Sequence, residues 1–188
     1  MSRPLRDQVV LVTGASRGLG AAIARAFGDA GSRVVVNYYQ SPDKARAVAA
    51  TIGDRAHPVQ ADVRDADAVA SLAETAEAHF GDPVTTVVHN ALIDYQFDAE
   101  ARATADAIDW ADYQQQLDGS VQGALNAVQA CLPAMRETGD GRVIAIGSNL
   151  VQDPVVPYHD YTTSKAALLG FVRNMARELG PDGITVNM

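Results

Sequence analysis

The sequence predicts an α/β fold, a parallel doubly wound sheet with helices on both faces. Three observations predict it. Short apolar runs alternate with helix-period segments along the whole chain, and several runs are near-continuous Val/Ile, as in strands covered on both faces. A glycine-rich turn joins the first strand to the first helix. Strand–helix alternation implies right-handed crossovers between parallel strands.

Strands are expected at Val9 to Thr13, Arg33 to Asn37, His57 to Ala61, Thr86 to Asn90, Arg142 to Gly147 and Ile184 to Met188. Helices are expected at Gly18 to Ala30, Asp43 to Ile52, Ala66 to Phe80, Tyr161 to Leu179, and in one long piece from about Trp110 to Glu137. The stretch Asp94 to Asp109 is polar and Ala/Asp-rich and reads as a surface excursion, with room for a short helix.

With 188 residues, 47% hydrophobic and 20% charged, the chain suits one globular domain. A net charge of −8 without a basic run argues against a nucleic-acid partner. No apolar stretch reaches the roughly 18 residues of a membrane span, and the N-terminus lacks a signal-peptide pattern. Cys131 has no second cysteine to pair with, which fits a reducing, cytoplasmic setting. His57, His79, His89 and His159 show no metal-ligand spacing with it, so no metal is expected.

The first strand runs into TGASRGLG, Thr13 to Gly20. Gly14, Gly18 and Gly20 let the backbone turn tightly and approach a pyrophosphate resting on the next helix N-terminus, with Ser16 and Leu19 in the same turn. The spacing is G-x3-G-x-G rather than the general G-x-G-x-x-G. An NAD site usually places an acidic residue after the second strand to hold the ribose 2′-hydroxyl. Here that strand ends Asn37–Tyr38–Tyr39, with no carboxylate until Asp43. Arg17, inside the glycine turn, is placed to meet a 2′-phosphate; the pair of features favours NADP over NAD. The alternative for Arg17 is a solvated loop cation.

After the third strand, Asp62–Val63 puts a carboxylate where adenine would lie; capping the helix near Ala66 is its rival role. After the fourth, Asn90 and Ala91 of HNAL fall at the crevice where ligands collect, although the Asn90 amide serves equally well as a tie between strands. Finally, Tyr161 and Lys165 stand four residues apart on one helix face. A cation favours the phenolate, lowering the phenol's pKa from about 10. Ser148 closes the preceding strand, within reach of the same substrate oxygen. A solvated Tyr–Lys surface pair is the plain alternative.

In this order and spacing, TGASRGLG, Asp62–Val63, HNAL, Ser148, YTTSK and GITVNM resemble the short-chain dehydrogenase/reductase family from Gln8 to Met188. VVVNYY and QACLPAMR are similar to the 3-oxoacyl-[acyl-carrier-protein] reductase-like members. The resemblance implies a Rossmann-type sheet in the order 3-2-1-4-5-6. It also implies an NADP(H)-dependent reductase of a carbonyl substrate, such as a 3-oxoacyl thioester carried on acyl carrier protein. By the same token Tyr161 is the proton donor, Lys165 lowers its pKa and holds the nicotinamide ribose, and Ser148 bonds the substrate oxygen. Ser120 stands where the family has a catalytic Asn, and Leu92 replaces the glycine of NNAG. Association into a dimer or tetramer is implied too; the small-residue stretch Gly123 to Ala134 suits such packing, or packs on the sheet instead. Family members continue for several dozen residues past the position of Met188. The expectation is therefore a single NADP-binding domain over residues 1–188, truncated before the substrate lid and last strand. Other readings left open are a dinucleotide-binding chain without useful catalysis, and a sugar or steroid reductase.

Overall fold

The computed structural model describes residues 3–188. Six parallel strands are β1 (Val9–Val12), β2 (Arg33–Tyr38), β3 (Ala56–Gln60), β4 (Thr86–His89), β5 (Gly141–Ala145) and β6 (Ile184–Asn187). They lie in the order β3-β2-β1-β4-β5-β6, the sheet that the sequence predicts. The strand order reverses between β1 and β4, which opens a crevice at their carboxyl ends.

The apolar runs explain the layers. Successive side chains in a strand point to opposite faces. Val9 and Leu11 of β1 accordingly join one core with α3 (Ala66–Phe80), α5 (Gly123–Thr138) and α6 (His159–Leu179). Val10 and Val12 join the other, beneath α1 (Gly18–Asp29) and α2 (Pro42–Ile52). Residues on both faces are fully buried, which is why β1 carries no polar position. The small residues Ala124 and Ala127 of α5 belong to the first core, so that stretch packs against the sheet.

Local chemistry sets the helix ends. Asp65 caps α3, accepting from the N–H groups of Asp67 and Ala68. Asp109 and Asp112 form a reciprocal capping box at the start of α4 (Trp110–Leu117). The long helix expected from about Trp110 to Glu137 is α4 and α5 joined by a π-helical turn, Asp118–Gln122. The reason is tertiary: buried His89 takes the Gly119 carbonyl at 3.1 Å, and a Cβ on Gly119 would run into Ile93. The helix expected from Tyr161 begins two residues earlier, at His159. Asp94 to Asp109 carries no regular helix before α4, and Asp94 holds a left-handed φ of 41°.

Candidate active site

A cleft of about 570 Å³ crosses the carboxyl ends of β1 to β5. Its floor begins at the glycine turn. Gly14 has φ +62°, and a Cβ there would lie 2.9 Å from the Ala91 Cα, so only glycine lets the turn close on β4. A Cβ on Gly20 would collide with the Asn90 amide and the Gly14 carbonyl. No side chain caps α1, whose first residues Gly18, Leu19 and Gly20 line the cleft beside Ser16 and Arg17. An uncapped helix N-terminus offers free N–H donors to an anion.

Two asparagines brace this turn. Asn37 is buried; its amide oxygen accepts from Gly14 N–H at 3.1 Å and its NH2 donates to the Ala61 carbonyl at 3.0 Å. Asn90 donates its NH2 to the carbonyls of Thr13 and Gly14 at 3.0 and 3.2 Å. The Asn90 NH2 thus makes the strand tie, and both asparagines also line the cleft. Tyr38, Asp62, Val63 and Ala91 line the same cleft.

Asp62 does not cap α3, since Asp65 does. Its carboxylate takes a two-pronged bond from the Arg64 guanidinium, at 3.0 and 2.6 Å, which holds it below the usual carboxylate range. That guanidinium also lies 5.9 Å from the Tyr39 ring centroid. Arg64 is thus a cleft cation that the sequence reading missed; the run Asp-Val-Arg, with acid and base two residues apart, was its only signal.

Tyr161 and Lys165 line the far part of the cleft, 8% and 3% exposed. Lys165 Nζ lies 5.7 Å from the Tyr161 ring centroid and donates to the Ile146 carbonyl at 2.9 Å. Burial pushes its pKa down to about 8, which leaves it mostly protonated at neutral pH. The two serines lie elsewhere. Ser148 accepts from Leu150 N–H at 3.2 Å and so caps its own 3-10 turn; it is not among the cleft residues, though its O–H remains a donor. Ser120, buried in the π-helical turn, bonds Ser164 Oγ at 3.2 Å. Ser164 donates to the Tyr161 carbonyl at 2.8 Å, so Ser120 must be the donor of the pair. Ser120 thereby ties the π-helical turn to the first turns of α6 and also stays out of the cleft.

His89 completes the scaffold. Thr13 Oγ1 accepts from the N–H groups of Asn90 and Ala91, both at 3.0 Å, so its own proton points to His89 Nδ1 at 3.3 Å. The other ring nitrogen faces a carbonyl and must carry the hydrogen. Burial, and then the charge of Lys165, lower the ring's pKa to about 4, consistent with this neutral tautomer.

Two further wall residues come from the stretch read as a polar excursion. Tyr95 and Phe97 line the cleft, their rings centred 5.2 and 5.0 Å from that of Tyr161. Two aromatics at i and i+2 in otherwise polar sequence were the available sign. Tyr95 donates to Asp160 at 3.3 Å; burial and this carboxylate push its phenol up. Among the described residues no helix is long and apolar enough to cross a membrane.

Such a sheet, with a glycine turn and a Tyr–Lys pair on one cleft, defines an oxidoreductase that uses a nicotinamide dinucleotide, and the family comparison agrees. The profile described as short chain dehydrogenase matches residues 8–188, and the chain belongs to that family. It is 36% identical over 192 residues to a 3-oxoacyl-[acyl-carrier-protein] reductase of Synechocystis, covering 97% of this chain and 72% of that one. It is 33% identical over 197 residues to the chloroplastic NADPH-dependent aldehyde reductase 2 of Arabidopsis thaliana, covering 97% and 71%. Among solved structures, the 3-ketoacyl-(acyl-carrier-protein) reductase of Brucella melitensis complexed with NADH is similar with a TM-score of 0.88 at 26% identity. That likeness covers 97% of this chain and 74% of the other.

The residues fit such a dinucleotide. The uncapped N-terminus of α1 would hold the phosphates, Arg64 stands over the Tyr39 ring after β2, and a buried ammonium lines the same cleft.

Proposed function

We propose that the protein is an NADP(H)-dependent carbonyl reductase, with a 3-oxoacyl thioester as its first candidate substrate. The carrying observation is that Tyr161 and Lys165 are both buried and both line the cleft that starts at the open N-terminus of α1. The bound dinucleotide supplies the hydride. Tyr161 gives its phenolic proton to the substrate oxygen, and the Lys165 ammonium stabilises the phenolate left behind. Ser148, two residues past Ile146 in the turn after β5, keeps its O–H free to donate, and in this reading it bonds that oxygen from the rim of the cleft. NADP is favoured over NAD because Arg17 and Arg64 both line the cleft, Arg64 over the Tyr39 ring after β2, and Arg64 already neutralises Asp62. The Arabidopsis relative is NADPH-dependent by name, and the Synechocystis relative reduces 3-oxoacyl groups by name.

Tyr161→Phe tests the reading. It should abolish NADPH oxidation with an acetoacetyl thioester while NADPH still binds, and binds more tightly than NADH, by calorimetry. Turnover as fast as the wild type's would refute the role of the phenol. A second reading, a dinucleotide-binding chain without useful catalysis, draws on Ser120 and Ser148 lying outside the cleft. Binding of NADPH without turnover of any carbonyl in a panel favours it.

A further inference from the structure

Aromatic residues make up only 6% of the chain, yet Tyr95, Phe97 and Tyr158 form one cluster with Tyr161. The Tyr95 ring is tilted 31° to that of Tyr161, while Phe97 stands edge-on to it at 85°. Phe97 and Tyr158 are themselves edge-on, with centroids 5.5 Å apart. Tyr158 and Tyr161 are buried, and the Tyr95 hydroxyl is anchored on Asp160, so three rings are fixed. Phe97 differs. It lines the cleft yet is 57% exposed, on a segment without regular structure. The Tyr95 and Phe97 rings, centred 5.0 Å apart and inclined at 65°, make an apolar corner beside the Tyr161 phenol. Because the two rings are inclined to each other, a flat ring entering the corner can lie offset on one while presenting its edge to the other, the two arrangements that aromatic quadrupoles favour. A saturated group of the same size gains burial alone.

We infer that the carbonyl this cleft takes bears an aryl or comparably flat conjugated ring next to it, as in an aryl ketone or a 3-aryl-3-oxoacyl thioester, and that Tyr95 and Phe97 select it. This rests on the reading of the cleft as a carbonyl-reducing site and narrows its substrate.

The test compares two N-acetylcysteamine thioesters of matched size, benzoylacetyl and cyclohexanecarbonylacetyl, with NADPH and the whole chain. The ratio of their kcat/KM should favour the aryl substrate by about 10-fold, the value of one or two good ring–ring contacts. Phe97→Leu keeps apolar bulk on an exposed coil and removes only the ring; it should pull that ratio to about 2-fold or less. A wild-type ratio near one, or a ratio that Phe97→Leu leaves untouched, overturns the inference while the reductase reading stands. If neither thioester is reduced, saturation-transfer NMR with the NADP-loaded protein reads the corner directly. Saturation of the benzoyl protons that Phe97→Leu abolishes then keeps the aryl site while the reductase reading fails. No saturation, or equal saturation in both proteins, overturns the aryl site.

Discussion

Lys165 carries its ammonium deep in the wall of the cleft, where its bond to the Ile146 carbonyl offsets only part of the lost hydration. Its pKa in the fold, about 8, lies below the unfolded value, so the native state favours the neutral amine. The stabilising contribution is complete above pH ~10.4 and is lost as pH falls through 8, amounting to roughly 3 kcal/mol. Urea unfolding of the wild type should therefore weaken from pH 10.5 to 8 relative to Lys165→Met, which lacks the titrating group. Parallel curves for the two proteins would show that the ammonium is hydrated after all. At this scale the sequence was legible where helical period sufficed. Tyr161 and Lys165 meet because residues four apart share a helix face. The hydrogen bonds of Ser148 and Ser120 have no such sign in the sequence, because a hydroxyl's partner is chosen by loop and tertiary geometry: one caps its own turn and the other bonds Ser164.

Among the elements, strands and helices followed from hydrophobic period and from caps that can be read as letters. Asp65 is a clear case. It precedes an alanine-rich run and accepts from two orphan N–H groups, whereas Asp62, the residue first offered for that role, is occupied by Arg64. Asp65→Ala should cost about 1 kcal/mol and lower the urea midpoint without changing the slope. An unaltered midpoint would mean that water replaces the cap at no loss. The π-helical turn was not legible, because Gly119 weakens an ordinary helix over Asp118–Gln122 without specifying a wider one. His89 and Ile93, distant in sequence, widen it. The place of Tyr95 and Phe97 was hidden for a related reason: polar composition suggested water on all sides, but the irregular chain after β4 turns along the cleft and brings both rings to its wall.

Over the whole molecule, the sheet gathers charged and titratable groups from separate elements into one electrostatic unit. His89 of β4 feels Lys165 of α6, and its ring is tied to the glycine turn through Thr13 and to the π-helical turn through Gly119. At the sheet edge, His57 of β3 stacks on His79 of α3, centroids 3.9 Å apart; burial first, and then the charge of His79, lower its pKa as well. Both rings are depressed below the unfolded 6.5, so the fold favours their neutral forms. Their contribution is whole above pH ~6.5 and declines as pH falls toward the folded value, which is about 4 for His89. For His89 alone the loss by pH 4 is roughly 3 kcal/mol, at a limiting slope of about 1.4 kcal/mol per pH unit. Carboxylates titrate mainly below about pH 4.3, so the interval from 6.5 to 5 belongs to the histidines. Thermal melts across that interval should drop steadily in Tm, and the His89 ring should remain neutral by NMR throughout. A flat Tm, or a His89 resonance titrating near 6.5, would break the chain of bonds from Thr13 to Gly119, because a ring protonated at both nitrogens cannot accept the Thr13 hydroxyl proton.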